Sequence, residues 1–125
     1  MLPYERFRAW RACDALVVAV YRATDSFPRS ELYGLTSQAR RAAFSAAANI
    51  AEGSAKRGRR EFRRYLGIAI GSLSELAYTL QLSRKLEFLP EDAWATLDGL
   101  RADASRLTWR LYASLKSNDA HPEPG

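Results

Sequence analysis

Apolar positions recur at intervals of three and four residues along most of this 125-residue chain, a spacing typical of helices with one buried face. The first predicted helix runs from about Phe7 to Thr24. Its stripe consists of Trp10, Cys13, Val17, Val20, Thr24 and Phe27. Pro28 follows the stripe and ends the helix, because proline lacks the N–H group that would continue the hydrogen-bond ladder.

The second predicted helix runs from about Thr36 to Ala55, and either Thr36 or Ser37 could cap its first turn. Its inner stripe is unusually small: Ala39, Ala42, Ala43, Ala46, Ile50 and Gly53. The distance between packed helices depends on the side chains at their contact, so this stripe predicts a closely packed neighbour.

The third predicted helix, from about Arg60 to Leu86, has the most regular pattern. Its main stripe is Phe62, Leu66, Ala69, Leu73, Leu76 and Leu80, and a second apolar flank holds Tyr65, Ile68, Tyr78 and Leu82. A helix that is apolar on two sides must bury both, which predicts a contact beyond the bundle core, such as a subunit interface. Gly67 and Gly71 within this helix predict close helix packing.

The fourth predicted helix begins near Pro90, with Glu91 and Asp92 in its first turn, where acidic residues are favourable. Its stripe is Leu97, Leu100, Ala104, Leu107, Leu111 and Ser114. The sequence therefore predicts an all-α, up-down-up-down four-helix bundle. Residues 1–117 would form this one domain, and the polar, proline-containing residues 118–125 a disordered tail.

Composition narrows the class of protein. No apolar run approaches the ~20 residues that span a bilayer, and the N-terminal residues lack the apolar region of a signal peptide. We therefore expect a cytoplasmic protein with no membrane association. The single cysteine, Cys13, lies in the apolar stripe of the first helix and is expected to be a buried, inert thiol.

The usual combinations of catalytic residues are missing from the sequence. The only histidine is His121, in the predicted tail, and no Glu-x-x-His pair or phosphate-binding Gly-rich loop occurs. We therefore expect no enzymatic activity, no catalytic residue, no metal site and no cofactor.

Positive charge is concentrated in one quarter of the chain. Residues 36–64 hold eight Arg or Lys and two Glu, whereas the remainder holds eleven basic and twelve acidic residues. A localised basic surface favours a polyanionic partner. The candidate nucleic-acid-binding residues are Arg40, Arg41, Lys56, Arg57, Arg59, Arg60, Arg63 and Arg64.

Three interpretations of these charges remain open: contact with RNA or DNA, a solvated surface, or contact with an acidic protein or a neighbouring subunit. Arg60, Arg63 and Arg64 share one face of the third helix, whereas Arg40 and Arg41 lie at the far end of the second helix. The nearby aromatic residues in sequence are Phe62 and Tyr65. Because Phe62 belongs to the core stripe, we expect contacts to the phosphate backbone rather than stacking on bases.

Three polar residues lie on the inner helices. Asn49 and Glu52 are three apart on the second helix, and Glu75 is on the third. We expect them to fix the register of the helices or to bond a neighbouring chain. A role of the carboxylates in binding or in acid–base chemistry is the alternative.

Several segments together resemble a known family. They are Asn49-Ile50-Ala51-Glu52-Gly53-Ser54 and residues 4–10, 33–42, 61–62 and 71–76. The chain resembles the four-helix bundle proteins encoded by intervening sequences of 23S ribosomal RNA genes, also called ribosomal S23-like proteins. Ala47 departs from the family pattern, which commonly has proline there, so we expect a second helix without a proline kink.

The resemblance implies a ring-like homopentamer without a defined biochemical role. Relatives of similar architecture include the accessory protein of diversity-generating retroelements, which binds nucleic acid and partners a reverse transcriptase. We therefore expect a non-enzymatic, homo-oligomeric scaffold that contacts RNA or DNA through its basic surface. The alternative is an adaptor that binds another protein and no nucleic acid, motivated by the wide apolar surface of the third helix and the three tryptophans.

Overall fold

The described part of the chain folds into four α-helices. The structure is a computed structural model that describes the backbone of residues 1–119 and the side chains of residues 1–115. The helices are α1 (Arg8–Thr24), α2 (Leu35–Ser54), α3 (Arg59–Lys85) and α4 (Glu91–Asp119), with short 3-10 helices at Pro3–Arg6 and Arg29–Glu31. This part of the chain contains no strand, which confirms the predicted all-α class.

The helices enclose one core. α1 packs against α2 and α4, and α3 packs against the same two helices. The largest fully buried apolar side chains are Leu16, Val20, Ile50, Leu66, Leu73, Leu76 and Leu80. Each such side chain contributes about 1.5–3 kcal/mol when it leaves water, so these residues dominate the stability of the fold. The whole small-residue stripe predicted for α2 is buried.

The buried face of α1 differs from the predicted stripe. Ala9 and Leu16 are buried, whereas Trp10 and Val17 are only half-buried. The buried arc of α1 is thus centred about one residue earlier than the predicted stripe, because Ala9 and Leu16 rather than Trp10 and Val17 lie on the fully buried side. The Trp10 ring instead packs on Tyr4, with 4.6 Å between the ring centroids.

The start of α2 is held by a residue outside the helix. The Glu31 carboxylate accepts a hydrogen bond from the backbone N–H of Leu35 at 2.9 Å. The helix consequently begins one residue earlier than predicted, and Thr36 is buried inside it. The prediction that Thr36 or Ser37 caps α2 was wrong. Glu31, four residues before Leu35, instead accepts a hydrogen bond from a free backbone N–H group at the start of the helix.

Cys13 occupies the core between α1 and α4. Its side chain is fully buried, with its Sγ atom 3.9 Å from Thr108 Oγ1. Burial raises the pKa of the Cys13 thiol to about 11, because the thiolate would lose its hydration, and the Thr108 contact opposes this only partly. Since the thiolate is the reactive form, Cys13 is a packing residue.

The end of α3 places a non-glycine residue in the left-handed region. Glu87 has a φ of 64°. The N–H of Phe88 donates to the Ser83 carbonyl at 2.9 Å and that of Glu87 to the Arg84 carbonyl at 3.0 Å, which is the Schellman arrangement. The position therefore favours glycine, and Glu87 is held there by the two flanking hydrogen bonds.

Replacing Glu87 by glycine should raise the free energy of unfolding by about 0.5–1 kcal/mol. Glycine removes the steric cost of the left-handed conformation, although it also gives the unfolded chain more freedom. Urea denaturation measures the change, and Glu87→Ala is the control, because alanine removes the carboxylate but keeps the strain. Equal stabilisation by both substitutions would attribute the effect to the lost charge.

The fourth helix continues to Asp119, two residues beyond the predicted end of the domain. The predicted disordered tail from residue 120 onward, with His121, lies outside the described residues. Among the described helices, none is both long and apolar enough to cross a membrane.

Candidate nucleic-acid interface

One end of the bundle gathers three segments that are distant in sequence. The Phe7 and Phe62 rings meet at 5.3 Å, which joins the N-terminal residues to the start of α3. A Cβ atom at Gly53 would lie 2.6 Å from Tyr65 Cβ, which places the end of α2 against α3. A Cβ atom at Gly67 would lie 4.0 Å from the Tyr112 ring, so the last turns of α4 lie at the same end.

This end carries the excess positive charge of the chain. Residues 1–14, 49–67 and 103–115, which form it, hold eleven Arg or Lys and five Asp or Glu. The other residues whose side chains are described, 15–48 and 68–102, hold seven of each. We call the first group the basic end. It contains six of the eight predicted binding residues and adds arginines from α1 and α4.

The connection between α2 and α3 presents three uncompensated arginines. Arg57, Arg59 and Arg60 are exposed, and none of them has an ion pair or side-chain hydrogen bond within the described residues. α3 begins at Arg59 behind Gly58, which has a φ of 83° and offers no side-chain cap. The free N–H groups of this helix end add partial positive charge to that of the arginines, so the site attracts anions.

Two other cations of the same run are partly neutralised. Lys56 Nζ lies 3.9 Å from a Glu52 carboxylate oxygen, and Arg64 Nε lies 3.2 Å from a Glu61 oxygen. The hydrogen bond to Glu61 raises the pKa of the Arg64 guanidinium. Both cations also contact the half-buried Tyr65 ring, at 5.6 and 4.6 Å from its centroid.

An open groove runs between the first turns of α3 and the last turns of α4. It has a volume of about 370 Å³ and is lined by Arg60, Glu61, Arg63, Arg64, Gly67 and Tyr112. Three of its six lining residues are arginines and one is acidic. We call it the α3–α4 groove.

A second groove at the basic end lies between the N-terminal residues and α4. It measures about 270 Å³, and Arg6, Arg8 and Arg110 line it together with apolar residues. These three arginines were not among the predicted candidates, because Arg110 is about 100 residues away from Arg6 and Arg8 in sequence. They come together only when the N-terminal residues pack on α4.

The structure places Arg40 and Arg41 at the opposite end of the bundle. Arg40 Nε donates to Thr24 Oγ1 at 2.8 Å, and its Nη2 lies 3.1 Å from Asp25 Oδ1. Arg41 forms an ion pair with Glu75. These guanidinium groups connect α2 to α1 and α3, respectively, and are separate from the basic end.

The three polar residues of the sequence motifs have different surroundings. Asn49 Nδ2 donates to the Ser45 carbonyl at 2.8 Å and to Ser45 Oγ at 3.1 Å. Ser45 Oγ in turn lies 2.8 Å from Ser72 Oγ on α3. Asn49 and Glu75 thus belong to contacts that link α2 to α3, whereas the ion pair of Glu52 within the described residues is to Lys56, one turn away.

An aromatic pair, the exposed Trp109 and the half-buried Tyr112, lies beside the α3–α4 groove. The Trp109 side chain is 54 % exposed, and its ring meets that of Tyr112 at 5.4 Å with an interplanar angle of 83°. Phe62 and Tyr65, the aromatics nearest the basic run in sequence, are half-buried. The sequence analysis missed Trp109 because it considered only aromatic residues close in sequence to the basic run. A signal was nevertheless present, because Trp109 lies between Arg106 and Arg110 and outside the apolar stripe of the fourth helix.

The described residues contain no group of three or more His, Cys, Asp or Glu side chains placed to hold a metal ion.

The chain was compared with known proteins and solved structures. No curated protein matches the chain. A crystal structure of a protein with unknown function from the S23 ribosomal protein family of Bacteroides thetaiotaomicron VPI-5482 is similar in fold, with a TM-score of 0.75 and 19 % identity. The match covers 83 % of this chain and 97 % of that one. Residues 5–110 match the family described as 23S rRNA-intervening sequence protein, and the chain belongs to that family.

Proposed function

We propose that this protein is a non-enzymatic, homo-oligomeric scaffold whose basic end contacts the phosphate backbone of RNA or DNA. The observation that carries the proposal is a trio of exposed arginines at the start of α3, Arg57, Arg59 and Arg60, which have no ion pair within the part of the chain that the structure describes. Guanidinium groups suit phosphate because their planar donors can bind two oxygens at once.

Local stability does not account for these arginines. A cation in the first turn of a helix opposes the helix dipole, at a cost of about 0.3–1 kcal/mol. Like charges side by side add repulsion, and the segment has no cap that would compensate. A polyanion would offset both effects, whereas a merely solvated surface would leave them in place.

The helix arrangement that we propose is up-down-up-down. Contacts between opposite ends of consecutive helices support it: Arg40 near the start of α2 reaches Thr24 at the end of α1. Likewise, Arg84 near the end of α3 pairs with Glu91 at the start of α4 at 2.7 Å. The short connections between helices also favour antiparallel neighbours.

Self-assembly is the second part of the proposal. Large apolar side chains remain exposed on outer faces, including Phe44 at 59 % on α2 and Tyr78 at 68 % on α3. A pentamer is the state that the family resemblance implies. Because each chain carries +5, five copies would carry about +25 and bind a polyanion through several weak contacts at once. A light-scattering mass near that of one 14.0 kDa chain at micromolar concentration would refute the oligomer.

Fluorescence anisotropy with labelled RNA and DNA over about 50 to 200 mM salt tests the nucleic-acid contact. We expect affinity to fall steeply as salt rises, because each phosphate that the protein neutralises releases a counterion. Polyglutamate of similar charge is the control competitor. No binding at the lowest salt would overturn the proposal, and equal displacement by polyglutamate would indicate an acidic protein as the partner.

A protein-binding adaptor is the second candidate. It is favoured by an apolar groove of about 440 Å³ between α1 and α2, lined by Tyr4, Trp10, Asp14, Val17, Phe44, Ala47, Ala48 and Ala51. Recovery of one defined partner after nuclease treatment, combined with no binding of purified nucleic acid, would support this function over the first.

A further inference from the structure

We propose that the basic end binds single-stranded nucleic acid, with an unpaired base stacked on Trp109 and the adjoining phosphates held by the arginines of the α3–α4 groove. This inference rests on the proposed function and specifies its ligand. It replaces the expectation of backbone contact alone, because α4 brings an aromatic platform to the basic run.

Trp109 has the properties of a stacking platform. More than half of its side chain is exposed, although large aromatic side chains are normally mostly buried. The edge of one ring meets the face of the other in the Trp109–Tyr112 pair, which orients the indole without covering both of its faces. An indole held in this way can accept the face of a base with little further loss of side-chain freedom.

Tyr112 connects the platform to the charges. Its ring lines the α3–α4 groove together with Arg60 and Arg64, and it also meets the ring of Trp109. Because Arg60 and Arg64 are four residues apart on α3, they occupy the same side of that helix. A nucleotide chain that follows the groove would meet guanidinium groups on α3 and aromatic rings on α4.

Gly67 keeps the groove open. A side chain there would begin 4.0 Å from the Tyr112 ring and extend into the space between the two helices. Glycine weakens a helix interior, and no contact within the described residues requires it at this exposed position. A ligand would need an open groove at this place, whereas the stability of the fold does not require one.

The aromatic platform favours a single strand over a duplex. Bases of a duplex stack on their own neighbours, so their faces cannot reach a side chain without unstacking. Unpaired bases have free faces, and stacking on an aromatic residue tolerates any base. We therefore expect little sequence preference and a clear preference for unpaired RNA or DNA.

The test compares wild type, Trp109→Ala and Trp109→Phe on an oligoadenylate of about 16 nucleotides and on a blunt-ended G·C duplex with the same number of phosphates. We expect Trp109→Ala to weaken binding of the single strand about 5- to 100-fold and to leave duplex binding and its salt dependence unchanged. Trp109→Phe should retain most of the affinity. Oligoadenylate should also quench the tryptophan fluorescence of wild type but not of Trp109→Phe.

Filling the groove provides an independent variant. Gly67→Leu should stabilise the helix yet weaken single-strand binding, a combination that a purely structural role of Gly67 would not produce. Failure of wild type to bind any nucleic acid would refute the proposed function and this inference together. Binding by wild type that is unaffected by Trp109→Ala would refute only the inference. A smaller light-scattering mass of Trp109→Ala would also refute it, because Trp109 would then be covered by another copy.

Discussion

Replacing Arg57, Arg59 and Arg60 by glutamate is expected to reduce affinity for RNA or DNA by about 100-fold or more at low salt. Among the side chains of residues 1–115, the three guanidinium groups are exposed and unpaired, so no carboxylate of that part of the chain competes with a phosphate for them. Affinity falls as salt rises, and each lost phosphate contact should make the slope of log affinity against log salt less steep by about one. The slope of the triple variant should therefore be less steep than that of wild type by about three. Anisotropy titrations over a salt series measure both quantities.

The matched control reverses three charges at the other end of the bundle. Arg22, Arg29 and Lys85 are exposed, and their substitution by glutamate changes the net charge by the same amount. We expect this variant to keep the salt slope of wild type and most of its affinity. Similar losses in both variants would mean that net charge, rather than the basic end, attracts the nucleic acid. Circular dichroism and light scattering establish that both variants retain helix content and assembly.

The sequence pattern predicted the helices well because their apolar spacing is local information. The stripes of α2 and α3 follow one face closely, and the helix boundaries lie within one or two residues of those predicted. The buried face of α1 was displaced because the prediction followed the larger side chains of Trp10 and Val17, whereas Ala9 and Leu16 are the residues that the neighbouring helices cover. The cap at Glu31 was missed because a side chain four residues upstream can replace the expected one.

The candidate interface could be predicted only in part. The run from Lys56 to Arg64 is contiguous, so its charge was visible in the sequence. The additional arginines and Trp109 come from α1 and α4, and their proximity depends on how those helices pack. Internal ion pairs likewise cannot be inferred from charge alone. Arg40 and Arg60 look equivalent in sequence, yet among the described side chains Arg40 has an ion pair and Arg60 has none.

The place where two helices approach closely was also not predictable from the sequence, as Gly67 and Gly71 show. Both were expected to allow close helix packing, but both are exposed, and a Cβ atom at Gly71 would meet nothing within 4 Å. The close approach occurs instead at Gly53, next to the basic end. A Cβ atom there would lie 2.6 Å from Tyr65 Cβ and 3.0 Å from Phe62 Cδ1.

Gly53→Ala should therefore lower the free energy of unfolding by about 1–3 kcal/mol, although alanine is the better helix former. The contact to Tyr65 involves a Cβ atom, which can move only if the backbone of α3 moves with it. Gly71→Ala is the matched control. The same substitution at an open, exposed position of a helix should raise the free energy of unfolding by up to about 1 kcal/mol. Urea denaturation of the two variants measures these opposite signs.

The Gly53 variant also connects stability with binding. Moving the start of α3 away from α2 would displace Arg59 and Arg60 relative to the end of α4, so we expect weaker nucleic-acid binding together with lower stability. Gly71→Ala should leave binding unchanged, because it lies three turns from the start of α3. If Gly53→Ala stabilised the protein as Gly71→Ala does, α3 would move away from α2 at no cost in free energy. The close contact at Gly53 would then not determine where the arginines of the basic end lie.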